Sequence, residues 1–215
     1  MTGEADTEPH TAVGGDSLNR DGWRAVFGRI RDDIAIYARV EGVRPGAAFV
    51  TRLIFVTPGF QFVLARRIQE MVVLVPLVGR PLRWILWWAS CLAFGSELAP
   101  SAVIGGGLYT PHPFSIVIGR SRIGSNVAVM HNVTVGNLHV ADRGVPQIGD
   151  NCSLGTGCSV LGSIRLGSGV RVGANAVVLN DIAEGSTAVG VPAVELRRPN
   201  HAAEAVLAQV KQPGD

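Results

Sequence analysis

Few side chains in this sequence are suited to catalysis, and one of them is a histidine held between two prolines. His112 lies in TPHPFS, Thr110 to Ser115. A neutral imidazole, with an ordinary pKa near ~6.5, takes up and returns a proton around neutrality. The other histidines are His10, His131, His139 and His201, and no pair has the spacing of a metal site, so no metal is expected. Cys91, Cys152 and Cys158 lack CxxC spacing and form neither a disulfide framework nor a zinc signature. Arg143, in ADRGVPQIG, carries a guanidinium that can pair with a carboxylate or a phosphate, or simply face solvent.

The elements that must position these residues fall into two compositions. Of 215 residues, 47% are hydrophobic and 17% charged, which excludes a charged disordered polymer. A net charge of +2 is too slight to argue for a nucleic-acid partner. Residues 1–20 are polar without an apolar signal core and read as a disordered tail, so a cytoplasmic location is expected. The most apolar stretch, Met71 to Phe94, is interrupted by Pro76, Gly79, Arg80, Pro81 and Arg83. The remaining runs are shorter than the ~20 residues of a spanning helix.

Residues 21–95 read as helical. Trp23, Val26, Phe27, Ile30, Ile34 and Tyr37 recur at helical steps. Pro58-Gly59 opens a second helix through Ile68, and Pro81 a third through Trp84, Trp87, Trp88 and Leu92. Between Arg20 and Arg83, eleven arginines face five acids. Together with the tryptophans they suit an anionic membrane interface; the same tryptophans also suit a helical core and subunit contacts.

Residues 96–196 carry a six-residue repeat. Aliphatics stand at Val117, Ile123, Val129 and Val135, then at Ile148, Leu154, Val160, Leu166, Val172 and Val178. Four residues after each of these except Val135 comes a small or apolar one, including Cys152 and Cys158. Three such units close one triangular coil, with the aliphatic pointing to the axis. Both cysteines therefore read as buried packing residues. Asn126, Asn132, Asn151 and Asn175 fall at turns that need positive φ. Twelve residues between Val135 and Ile148, GNLHVADRGVPQ, leave the pattern as a loop. Residues 197–215 read as a tail.

The sequence resembles the hexapeptide-repeat acyltransferases with a left-handed parallel β-helix, and within them the serine acetyltransferase branch. The motifs are PGFQFVLARRI (Pro58 to Ile68), GGGLYTPHPFSIVIG (Gly105 to Gly119), the repeat run from Val145 to Ile182, and AVGVPA (Ala188 to Ala193). The resemblance implies a mainly β fold with a helical N-terminal region, acetyl-CoA as co-substrate with no tightly bound cofactor, and a small hydroxyl-bearing acceptor. It also implies a homotrimer or dimer of trimers with active sites between subunits.

Carried over residue by residue, it makes His112 the general base and Glu97, where the family has Asp, its carboxylate partner. Arg143 and His131 would contact acceptor, His131 standing where Gln is common. Thr156, Arg171, Gly173 and Ala174 would line the coenzyme groove, with Arg197 and Arg198 near its phosphates. Two departures bear on the acceptor. Pro111 replaces the acid that precedes the family's histidine, and no histidine precedes Pro146. L-serine and a sugar hydroxyl both remain open as acceptors, and an interaction scaffold without chemistry is the rival class.

Overall fold

The computed structural model describes residues 22–139, 142 and 144–196. The expectations for 1–20, Arg143, Arg197, Arg198 and the tail lie outside these residues. Among the described residues four helices come first: α1 (Gly22–Glu41), α2 (Ala47–Val56), α3 (Pro58–Val72) and α4 (Gly79–Phe94). From Glu97–Leu98 onward the chain winds as a left-handed parallel β-helix whose short strands stack into three sheets. The first face contains Val117–Ile118, Thr134–Gly136, Ser159–Leu161 and Val177–Val178. The second contains Arg122–Ile123, Gln147–Ile148 and Arg165–Leu166, and the third Ala128–Val129, Ser153–Leu154 and Arg171–Val172. An antiparallel pair, Thr187–Val189 with Val194–Leu196, closes the far end of the third face.

In the regular coils, partners lie 18 residues apart, as in Gln147 with Arg165, Ser153 with Arg171 and Ser159 with Val177. One aliphatic per unit points to the axis, so Val129, Val135, Leu154, Val160 and Val178 are buried. Burying each such side chain favours folding by ~1.5–3 kcal/mol before chain entropy is counted. Cys152 and Cys158 are also interior, and burial pushes the Cys158 thiol up to about 12. All four asparagines expected at positive φ have it, from 56° to 59°.

The structure corrects the repeat in two places. Val117 is 41% exposed, whereas Ile118 is fully buried and pairs with Val135. Two residues are added at the preceding corner and one is missing from the next unit, Ile118 to Ile123, so the inward position lies one residue beyond where the later units would put it. The loop is also smaller than its twelve off-pattern residues suggest. Ala128 pairs with Ser153, a step of 25, so seven residues are added to the turn and the rest follow the coil.

The helices differ from expectation in what they bury. In α1, Val26, Asp33, Ile36 and Tyr37 face inward, while Trp23 and Phe27 are about half exposed. α2 was not anticipated: AAFVTRLIFV is apolar nearly throughout and gives no stripe. α3 carries Pro at its first turn and buries Phe60, Phe62, Val63, Arg66 and Arg67. No single helix among the described residues is long and apolar enough to cross a membrane. The α2–α3 pair that together passes on length and composition bends by 86°.

Part of the arginine excess is therefore internal. Arg67 is fully buried and binds both Asp33 oxygens, at 2.8 and 3.2 Å, both Glu70 oxygens at 3.2 Å, and the carbonyls of Ile104 and Gly105. Arg66 binds Glu70 at 3.1 Å and the carbonyls of Ala99 and Ala102. Asp33 also accepts the Leu108 amide at 2.9 Å. Burial alone would raise the Glu70 carboxyl, but Arg67, Arg66 and Arg29 outweigh it and hold it below the usual range.

Removing one member strands a buried charge. We expect Asp33→Ala to lower stability by ~3–5 kcal/mol, read from urea unfolding. Because the folded Glu70 pKa is depressed, its contribution is complete above the unfolded value of ~4.3 and is lost as pH falls below it. Glu70→Gln should accordingly flatten the acid limb of the stability-versus-pH curve; an unchanged limb would count against the assignment.

Candidate active site

Passing from the third face to the first, each coil turns through one residue at positive φ: Ser115 (55°), Asn132 (59°), Gly157 (71°) and Asn175 (57°). The Asn132 amide donates to the Phe114 carbonyl at 3.0 Å, Gly157 to His131 at 3.0 Å and Asn175 to Thr156 at 2.8 Å. Phe114, His131, Thr156 and Ala174 consequently stand one above another along a single edge of the prism. Repetition alone brings them together, since each occupies the same place in its unit.

His112 departs from this regularity. Tyr109 lies beside Ala128, Ala128 beside Ser153 and Ser153 beside Arg171. From these points, later coils reach the corner in four steps, but Tyr109 to Ser115 takes six. The two additional residues form a bulge that places His112, exposed to solvent, at the top of the edge. Its ring meets His131 edge to face, with centroids 5.9 Å apart and an interplanar angle of 79°. His131 is half-buried, and its Nδ1 is buried without a hydrogen-bond partner among the described residues.

The bulge is fixed at both ends. Thr110 is fully buried; its hydroxyl donates to the Gly59 carbonyl at 3.1 Å, and the Tyr37 hydroxyl donates to the Thr110 carbonyl at 3.2 Å. Burial raises the Tyr37 phenol well above its ordinary pKa, so it remains a donor. On the far side the Ser96 hydroxyl donates to the Pro113 carbonyl at 2.9 Å and accepts the Ile116 amide at 3.0 Å. Gly59 is required by this contact: a Cβ there would lie 1.8 Å from the Thr110 carbonyl oxygen. Tyr37, Gly59, Ser96 and Thr110 were not recognised in the sequence. The Pro-Gly step at 58–59 was their one visible signal.

Below His112 the edge is lined by small groups. Thr156 is half-buried and Ala174 exposed, while the Gly173 amide bonds to the Ala188 carbonyl at 2.8 Å. Arg171 occupies the outward position of the third face, in register with Ser153 and Thr187, and is exposed. A narrow extended ligand could lie along this edge with an anionic group near Arg171.

Glu97 is the outward residue of the first strand, half-buried and paired with Val117. It makes no hydrogen bond to His112. Its charge bears on Cys91, whose thiol is raised by burial first and by Glu97 second.

The loop leaves after Gly136 and returns at Gln147, at the corner between the first and second faces. Its foot is ordered by Asp142, which accepts the His139 amide at 2.8 Å and the Asn137 side chain at its carbonyl at 2.9 Å. A Cβ on Gly144 would lie 2.1 Å from the Ser163 hydroxyl, so that position admits only glycine without rearrangement. The loop and the His112 edge thus stand on opposite sides of the first face. Among the described residues, no cluster of three or more His, Cys, Asp or Glu could hold a metal ion.

Comparison with known proteins agrees with this architecture. The family model for bacterial transferase hexapeptide, six repeats, matches residues 146–180. A serine acetyltransferase of Helicobacter pylori strain J99 is 45% identical over 101 residues, which cover 46% of this chain and 59% of that enzyme. A serine acetyltransferase of Staphylococcus xylosus is 33% identical over 170 residues, covering 76% of this chain and 74% of its own. A solved serine acetyltransferase in complex with CoA superposes with a TM-score of 0.68 at 28% identity, covering 81% and 70%.

The positioning of His112 can be tested without a ligand. Gly59→Ala should lower stability by ~1–3 kcal/mol, because the new methyl forces α3 from Thr110. It should also shift the ring resonances of both His112 and His131. Unchanged resonances would mean that α3 does not set the bulge.

Proposed function

The chain belongs to the serine acetyltransferase family, and from that membership we propose that it transfers an acetyl group from acetyl-CoA to the hydroxyl of a small acceptor. The observation that carries this reading is the edge on which His112, His131, Thr156 and Ala174 are aligned by the coil's own periodicity. The pantetheine arm lies along Thr156, Gly173 and Ala174, where short side chains admit it, and Arg171 meets a phosphate of the coenzyme. This directs the thioester toward His112.

His112 then acts as general base. It removes the acceptor hydroxyl proton as the oxygen attacks the thioester carbonyl, and the tetrahedral intermediate collapses with cleavage of the C–S bond. The imidazolium returns its proton to the departing thiolate, so the products are the acetyl ester and CoA. Direct transfer needs no acyl-enzyme, since holding both substrates on one edge supplies the proximity. His131, whose Nδ1 has no hydrogen-bond partner among the described residues, offers a polar contact to the acceptor. Glu97, which makes no hydrogen bond to His112 in the structure, would stabilise the imidazolium once its carboxylate met the ring.

The chain assembles as a homotrimer, with a dimer of trimers as the larger form. The loop's placement supports a trimer: a subunit's own loop lies one face away from its His112 edge, so a neighbour's loop would be the one to close the cleft. A sugar hydroxyl is the second reading for the acceptor. It is favoured by Pro111, which leaves no carboxylate beside His112 to hold an amine.

CoA release should be followed with acetyl-CoA and a panel of L-serine, homoserine and sugars. We expect His112→Ala to lower kcat by ~10²–10⁴-fold with the best acceptor. Ala174→Trp should raise KM for acetyl-CoA while leaving kcat less affected, because it obstructs the donor groove rather than the reacting atoms. If no acceptor releases CoA and acetyl-CoA leaves thermal stability unchanged, the enzyme reading fails.

A further inference from the structure

The turn at 73–78 and the outer side of α4 form an apolar surface that the acetyl-transfer edge does not use. Trp84, Ile85, Trp88 and Leu92 lie on one helical stripe and are 56–67% exposed. Leu77 is 98% exposed at the tip of the preceding turn, where its φ of 65° is unfavourable for a branched side chain. Beside it, a cavity of about 440 Å³ is lined by 73–77 and Arg80. Arg80 is exposed at the first turn of α4 and has no ion-pair partner among the described residues. Between Glu70 and Glu97 the sequence holds no acid. The second arginine of that stretch, Arg83, turns inward to the Pro100 carbonyl.

We infer that this face docks the protein peripherally on an anionic lipid bilayer. Indole rings partition well into the boundary between headgroups and acyl chains, being apolar with one polar edge. Leu77, Ile85 and Leu92 enter the apolar boundary, and Arg80, beside the open cavity, takes a lipid phosphate. A second copy related by twofold symmetry is a poorer occupant. It would bring the same acid-free surface against Arg80 and leave that guanidinium without a counter-charge. At 16 residues the helix is too short to cross the bilayer, so it lies in the interface. The inference is independent of the acceptor and of the acetyl-transfer reading, since it concerns surface outside the His112 edge.

The test is flotation of the full chain with vesicles of equal parts phosphatidylcholine and phosphatidylglycerol, and with phosphatidylcholine alone. Light scattering would give the oligomer mass of each variant. Wild type should float with the anionic vesicles, less so at high salt, and remain at the bottom with phosphatidylcholine alone. Leu77→Asp suits a positive-φ site and should keep the fold. With Arg80→Glu, it should reduce the bound fraction by ~10-fold or more without changing oligomer mass. Trp84→Ser with Trp88→Ser should do the same, and wild-type tryptophan emission should shift to the blue on binding. Failure of wild type to float overturns the inference. So does a change in oligomer mass with vesicle binding intact, since the face would then be covered by another copy.

Discussion

The buried pairing of Arg66 and Arg67 with Asp33 and Glu70 is the constraint on which the rest of the molecule depends. A parallel coil has an open end, where the first turn has no turn before it to donate amide hydrogen bonds to its carbonyls. Here the two guanidiniums bind carbonyls of that turn at Ala99, Ala102, Ile104 and Gly105. Such a solution is costly unless each charge is neutralised, because isolated burial of an ion carries a penalty of several kcal/mol. Asp33 from α1 and Glu70 from α3 provide the neutralisation, so capping the coil also fixes the two helices. Burial lowers the Arg66 pKa to about 10, which still leaves it charged at neutral pH.

That docking continues to the candidate site. With α1 and α3 held against the first turn, Tyr37 and Gly59 are brought to Thr110, and the bulge carrying His112 gains its fixed end. The histidine is thus positioned by helices that lie far from it in sequence, while the residues beneath it are positioned by the coil itself. His131, Thr156 and Ala174 would share an edge in any coil of this register. His112 joins them only because two residues are added at one corner and the prolines and Ser96 hold the added backbone in place.

This division explains what the sequence could reveal. The solenoid was legible because each inward residue repeats at a fixed interval, and the asparagines at positive φ were legible because few other residues tolerate that conformation. The frame around Val117 was not: an addition and a deletion nearly cancel there, and Val117-Ile118 presents an aliphatic at either register. The arginines were misleading for a different reason. Counting charge along a chain places it at the surface, whereas Arg66 and Arg67 are matched by an acid 34 residues earlier and another in the next turn of their own helix. Only tertiary contact distinguishes an internal pair from a solvated excess.

Donor and acceptor recognition are therefore built on different terms. The proposed donor groove consists mostly of backbone and short side chains repeated coil after coil, so it tolerates sequence change as long as the register holds. Proposed acceptor recognition depends instead on individual side chains: Pro111 in the irregular bulge, the half-buried His131 on the regular edge, and a loop that projects from a different corner. A loop on the adjacent edge cannot close over its own His112 without crossing the first face, whereas assembly about a threefold axis would set one subunit's loop against another's edge. Substrate choice can then diverge through a few residues in the bulge and loop, while the coil and its charged cap stay unchanged. The replacement of the family's acid by Pro111 is a change of that kind.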